Sequence, residues 1–301
     1  MAQIHVAGQD IKVSTLDKVL YPDNGVTKGD MLVHYLAVAE SMLPHLHGRP
    51  LTMRRYPHGI ATEGFFQKDT SGHFPEWIET VDVPHRRSEG SIQYVVCDDA
   101  ASLLYLANLG TIEFHIWTAT TVDLDRPDRL VMDLDPPDGV TVAELRSVAR
   151  RARDLFTDAG LTPYLQATGG RGFHVVAPLD RGGDYRFVRD LAGDLADRLA
   201  ADDPDRLTTA QRKHRRGDRI FLDVNRNGRS QTFIAPYSLR ARPGATVATP
   251  LDWSELGRTG PDTFTIASIR RRLARKADPW SGMDAHAASP HAVRERLDSW
   301  R

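Results

Sequence analysis

Ten residues, Leu130-Val131-Met132-Asp133-Leu134-Asp135-Pro136-Pro137-Asp138-Gly139, constrain this chain more than any others. Apolar residues lead in and a Pro-Pro-Asp-Gly turn leads out, which predicts a buried strand ending at a turn. Side chains alternate along a strand, so Asp133 and Asp135 share one face while Met132 and Leu134 take the other. At about 3.3 Å per residue, the Cα atoms of the two acids stand roughly 7 Å apart. An uncompensated carboxylate on a hydrophobic strand is costly, so such groups are paired or bind a cation. Two readings stand at this point: a divalent-metal site, or a solvated strand end that also caps the following helix.

The rest of the chain must decide between them. Its 301 residues suffice for one large domain or two modest ones. Hydrophobic residues at 41% and charged residues at 26% are those of a soluble globular protein. No run approaches the ~20 apolar residues of a membrane span. Asp10 and Lys12 interrupt the N-terminus, so no signal peptide is expected. The single cysteine, Cys97, excludes an internal disulfide and a cysteine-based zinc centre, and fits a reducing cytoplasm. A net charge of -1 hides an asymmetry: from Asp205 to Arg242, ten Lys or Arg face three Asp, a local net of +7. These charges bracket two predicted strands, which favours a polyanion partner over a merely solvated basic face.

In chain order, residues 4–13 predict a small hairpin and Tyr21 to Gly25 a turn. A helix follows from Thr27 to Gly48, its Met31, Leu32, Tyr35, Ala39, Met42 and Leu46 stripe reading as core. Phe65 and Phe66 beside Lys68 admit core packing or a stacking platform next to a phosphate contact. Residues 91–97 predict a strand, and 99–109 a helix. In a further strand, 111–117, Ile112, Phe114 and Ile116 lie opposite Glu113, His115 and Trp117. Beyond the acidic strand come a helix at 140–159 and strands at 163–167 and 173–177. Thr168-Gly169-Gly170-Arg171-Gly172 joins those strands, either as an ordinary hairpin turn or as backbone that admits a phosphate closely. A helix through 187–199, a strand at 220–224 carrying Asp223, a return at 231–235 and a helix at 266–275 complete the pattern. No internal repeat is present, so one unit is expected, with an N-terminal part ending near residue 100.

Three acids at strand ends, Asp133, Asp135 and Asp223, now accompany Arg226, Arg240 and Arg242. Oxygen-only acidic ligands suit Mg²⁺ or Mn²⁺, and guanidinium forks suit a polyphosphate. Together they describe nucleotidyl transfer by two metal ions.

At this point the chain resembles the polymerase domain of bacterial DNA ligase D, within the archaeo-eukaryotic primase superfamily. The residues carrying the likeness run Leu16-Asp17-Lys18-Val19-Leu20-Tyr21-Pro22, Phe65-Phe66-Gln67-Lys68 and Asn108-Leu109-Gly110-Thr111-Ile112-Glu113-Phe114-His115. Then come Asp133-Leu134-Asp135-Pro136, Thr168 to His174, Phe221-Leu222-Asp223 and Ala235-Pro236-Tyr237-Ser238-Leu239-Arg240-Ala241-Arg242. Each motif is weak alone, and the ordered set is specific. The resemblance implies an α+β fold with an archaeo-eukaryotic primase-type core, mixed and antiparallel sheets flanked by helices, and an N-terminal subdomain. It implies a single domain over 1–301, with about 1–100 contacting DNA ends and 101–301 forming the catalytic core. Asp133, Asp135 and Asp223 would bind two metal ions, Mn²⁺ or Mg²⁺. His115, Thr168, Arg171, His174, Arg226, Arg240 and Arg242 would hold a nucleoside triphosphate. Lys18, Lys28, Arg54 and Lys68 would recognise a downstream 5′-phosphate, and Phe65 and Phe66 would stack on the template.

The implied activity is template-directed filling of gaps or broken ends in DNA repair, with ribonucleotides accepted. The implied partners are gapped or broken DNA, a separate ATP-dependent ligase and Ku, in the bacterial cytoplasm at the nucleoid and away from membranes. Thr168 replaces the usual serine, Arg171 the usual lysine and Ile116 a common proline, and a downstream lysine has no counterpart near Gln231-Thr232. Hydroxyl and charge survive the first two changes, which puts nucleotide preference in question rather than activity. Neither a ligase lysine motif nor a histidine-rich nuclease region occurs, so the expectation is a stand-alone polymerase or one domain of a larger protein. Two other classes remain: a non-catalytic module bridging DNA ends, and a metal-dependent phosphohydrolase, against which Pro137 stands where such enzymes carry Thr or Val.

Overall fold

The strand before the Pro-Pro turn is Arg129–Asp135, and it lies inside a six-stranded sheet in a computed structural model that describes residues 2–70, 72–85 and 89–300. The strand order is Leu207–Thr208, Ile220–Asp223, Arg129–Asp135, Phe173–Pro178, Tyr164–Ala167 and Thr249–Leu251. All neighbours are antiparallel except the first two, which run parallel. Register places Asp133 opposite His174 on one side and opposite Asp223 on the other. Leu130, Val131, Met132 and Leu134 are fully buried. Removing such side chains from water contributes roughly 1.5–3 kcal/mol each, enough to hold a strand that also carries two acids.

Helices Val142–Asp158 and Tyr185–Ala201 pack on this sheet and on each other. The first begins with a capping box between Thr141 and Glu144, and buries Leu145, Val148, Ala149, Ala152 and Phe156. The second begins at Asp184, whose carboxylate accepts from the Phe187 N–H, and buries Val188, Leu191, Leu195 and Leu199.

These elements belong to one of two compact units, made of Asp123–Thr232, Thr249–Thr263 and Asp278–Arg301. The other unit takes Met1–Val122, Phe233–Ala248 and Phe264–Ala277. Its four-stranded sheet has the order Thr232–Ile234, Thr111–Trp117, Leu51–Arg55 and Phe65–Gln67. Helix Lys28–Leu46 packs against helices Ala100–Asn108 and Ile266–Leu273. A Thr27–Asp30 capping box starts it, and the predicted stripe of Met31, Leu32, Tyr35, Met42 and Leu46 is core.

Six helices and mixed sheets are present among the described residues, as the α+β expectation required. Tyr21 to Gly25 proves to be the turn of a short hairpin, Val19–Tyr21 with Val26–Thr27. The 111–117 strand is buried on both faces, and takes Glu113 inside with it. No helix among the described residues is long and apolar enough to cross a membrane.

Candidate active site

In the unit holding the six-stranded sheet, the register sets Asp133 and Asp223 side by side, and strand periodicity adds Asp135 two residues along the same face. The Asp133 and Asp223 side chains retain 15% and 14% exposure, and Asp135 retains 44%. Arg226 reaches both of the first two: its Nη2 lies 3.6 Å from Asp133 Oδ2 and 3.8 Å from Asp223 Oδ2. His174 Nε2 lies 3.6 Å from Asp133 Oδ1. Asp223 is oriented from behind by Asn225, whose backbone N–H and side-chain amide both donate to Oδ1, at 2.9 and 2.7 Å. Asn225 is itself fixed by Gln211 and Arg189.

Asp135 faces a different arginine. Arg216 Nη1 lies 3.7 Å from its Oδ2, and the guanidinium stacks 3.5 Å from the ring centroid of Phe221, the cross-strand partner of Asp135. Desolvation holds the Asp135 carboxyl above its ordinary value, as do the charges of Asp133 and Asp223, while Arg171 and Arg216 oppose them. The acids therefore repel one another inside a partly dry site.

That repulsion is the test of a metal. The donor set is all carboxylate oxygen, which fits Mg²⁺ or Mn²⁺, and a divalent cation would relieve the strain on Asp135. Among the described residues, no three His, Cys, Asp or Glu side chains are already gathered around one point as a metal cage. In this conformation Arg226 and Arg216 supply the counter-charge.

The glycine-rich turn serves this site through packing. A side chain at Gly172 would put its Cβ 2.1 Å from the Leu134 carbonyl oxygen, so glycine is what lets the turn lie against the acidic strand. Thr168 Oγ donates to the Gly172 carbonyl and accepts from the Gly170 N–H. Arg171 pairs at 2.6 Å with Asp138, on the exposed loop after the strand.

The other unit carries a second cluster, centred on Glu113. Its Oε2 accepts from His115 Nε2 at 3.0 Å and lies 3.5 Å from Arg54 Nη1. Its Oε1 accepts from Arg240 Nε at 3.1 Å and from the Ala241 N–H at 3.0 Å. Phe66 stands over Arg54, 5.3 Å from ring centroid to guanidinium carbon, and edge-on to His115 at 5.9 Å. Phe65 lies beside Arg55. The two rings are 48% and 60% exposed, so core packing explains neither.

Lys18 and Lys28 are neighbours, with the Lys28 N–H donating to the Lys18 carbonyl. Burial first, and Lys18 second, lower the Lys28 pKa. Arg242 and Lys68 are exposed. Sequence reasoning missed Arg216, Asn225 and Glu113. Only Asn225 carried a local signal, its place two residues after Asp223.

Comparison with known proteins gives one answer. Residues 27–280 match the family described as LigD, primase-polymerase domain. The multifunctional non-homologous end joining protein LigD of Mycobacterium bovis is 36% identical across 97% of this chain and 39% of its own length. The bifunctional LigD of Bacillus subtilis is 30% identical across 90% of this chain and 43% of its own. The chain thus spans about two fifths of the relatives it matches. Among solved structures, the polymerase domain from Mycobacterium tuberculosis Ligase D in complex with DNA superposes with a TM-score of 0.85. It is 36% identical, over 92% of this chain and 99% of that one.

Proposed function

The chain belongs to the LigD primase-polymerase domain family, and from that premise we propose that it fills short gaps or broken DNA ends by template-directed nucleotidyl transfer. Its substrates are nucleoside triphosphates, ribonucleotides included, and its preferred DNA carries a downstream 5′-phosphate. The observation that carries this reading is the register setting Asp133 against Asp223, with Asp135 on the same face.

Asp133, Asp135 and Asp223 would hold two divalent cations, Mn²⁺ or Mg²⁺, which when bound activate a primer 3′-hydroxyl and stabilise departing pyrophosphate. The chain's own groups do the remaining work. Asn225 keeps Asp223 turned toward the site. Arg226, whose guanidinium balances two of the acids, would turn its donors to phosphate oxygens once cations take that role. Thr168, Arg171 and His174 are assigned to nucleotide phosphate, and in the other unit His115, Arg240 and Arg242 are assigned to the nucleotide as well. Phe65 and Phe66 offer exposed faces for base stacking on the template. Lys18, Lys28, Arg54 and Lys68 are assigned to DNA phosphate; the Lys18 charge helps to lower the Lys28 pKa, a repulsion that a bound phosphate would relieve.

The DNA complex of the related polymerase domain supports DNA as partner. A separate ATP-dependent ligase and Ku, at the bacterial nucleoid, complete the proposed setting in end joining. Primer extension on a gapped, 5′-phosphorylated duplex with Mn²⁺ tests the activity. DNA binding without any incorporation, at saturating Mn²⁺, would instead identify a bridging module.

A further inference from the structure

Glu113 is the most deeply buried acid near either cluster, and none of the roles above uses it. We infer that Glu113 is a positioning residue that holds His115, Arg240 and Arg54 as one charged unit, so that nucleotide and template contacts are set together. The inference rests on the polymerase reading of those three side chains.

The Glu113 side chain is 2% exposed, on a strand buried on both faces. Burial pushes its pKa up, but the His115 hydrogen bond, the Arg240 charge and the Ala241 N–H outweigh it and hold the carboxyl well below the usual range. It is therefore ionised and can only accept hydrogen bonds. Its two oxygens divide the labour. Oε1 takes Arg240 by Nε and the neighbouring backbone at Ala241. Oε2 takes His115 and faces Arg54. Because a carboxylate cannot donate, His115 must carry a proton on Nε2.

The segment delivering Arg240 is held equally firmly from its other side. Tyr237, three residues earlier, sits at φ 65°, a conformation costly for a residue with a side chain. Its carbonyl accepts from His34 Nε2 at 3.0 Å. The neighbouring Tyr35 hydroxyl accepts from the Leu239 N–H and donates to the Ile112 carbonyl. His34 stays neutral, its pKa lowered by burial to about 4. The turn is thus pinned by helix Lys28–Leu46 at one end and by Glu113 at the other. From Arg54 and His115 the linkage continues to the exposed ring of Phe66. One anion consequently orients an arginine and a histidine assigned to the nucleotide, and the arginine beneath a ring assigned to the template.

The test uses the full chain in primer extension with Mn²⁺, reading KM for the incoming nucleotide apart from kcat. Glu113→Gln keeps the shape and removes the charge. It should raise KM roughly 10–100-fold, the usual effect of losing a supporting hydrogen-bond partner, while kcat falls less. The effect should shrink when Arg240→Ala is already present, because the two residues act as a unit. A structural counter-ion alone would lower the melting temperature and leave KM unchanged. A folded Glu113→Gln variant with wild-type KM, or full additivity with Arg240→Ala, overturns the inference. Should the variant not fold, the ¹⁵N spectrum of wild-type His115, assigned by its loss in His115→Asn, still decides. An Nε2–H tautomer or an imidazolium agrees with Glu113 as its anchor, and an Nδ1–H tautomer contradicts it. A wild type that extends no primer removes the polymerase reading and this inference with it, whereas an active wild type with an unaffected Glu113→Gln removes the inference alone.

Discussion

The Asp135 carboxyl lies above its ordinary value, through desolvation first and the charge of Asp133 second, with a smaller contribution from Asp223. A raised folded-state pKa means that its contribution to stability is fully present below the unfolded value, about 3.9, and is lost as pH rises through the folded one. At pH 7 without metal, Asp135→Asn should therefore stabilise the fold, by less than about 1 kcal/mol because solvent reaches the side chain. Added Mn²⁺ should raise the melting temperature of the wild type more than that of the variant. A lower melting temperature for metal-free Asp135→Asn would contradict the repulsion described. Glu113 behaves oppositely, since its folded pKa is depressed. Its contribution is present above the unfolded value, about 4.3, and disappears as pH falls. Acid unfolding curves should show the wild type losing more stability than Glu113→Gln over that range. Asn225 makes a third test. It holds Asp223 by two hydrogen bonds, so Asn225→Ala should raise the Mn²⁺ concentration needed for half-maximal activity by roughly 10–100-fold. An unchanged metal titration would remove it from the site.

Among the elements, the acidic strand depends on the turn lying against it. Gly172→Ala would drive a Cβ into the Leu134 carbonyl, and backbone cannot swing aside as a flexible side chain can. Overpacking of this kind costs typically 1–3 kcal/mol, and the displaced strand carries Asp133 and Asp135. Thermal melts and extension assays on Gly172→Ala should therefore both fall, while intact activity would mean that the turn is free to move. The same packing explains what the sequence could and could not reveal. Asp133 and Asp135 were legible because strand periodicity is local. Asp223 was legible as an acid at the end of an apolar run, but its place beside Asp133 follows from register between strands nearly ninety residues apart. Arg216 was hidden in a basic run, where nothing local separates the one arginine stacked on Phe221 from its neighbours. Glu113 was hidden by alternation itself, which assigned it a face without revealing that both faces are covered. The Gly-rich turn fits an ordinary hairpin or a close phosphate contact equally well in sequence, and only the structure shows that at Gly172 the space is filled by the adjacent strand. Strands Leu207–Thr208 and Thr249–Leu251 are too short to carry any period.

For the whole molecule, a net charge of -1 coexists with a local net of +7 between Asp205 and Arg242. Affinity for gapped DNA should fall steeply with salt, as counterion release requires. Replacing both Lys18 and Lys28 by alanine should lessen the slope of log affinity against log salt by about 1 for each phosphate no longer neutralised. It should also abolish any preference for a 5′-phosphorylated gap, and a preserved preference would place phosphate recognition elsewhere. The most direct measurement is extension of a primer across a short 5′-phosphorylated gap with Mn²⁺, comparing the wild type with a variant carrying Asp133→Ala and Asp135→Ala. Template-directed incorporation by the wild type, with loss of at least about two orders of magnitude in the variant, is the predicted result. Equal extension by both proteins, or none by the wild type, would contradict it.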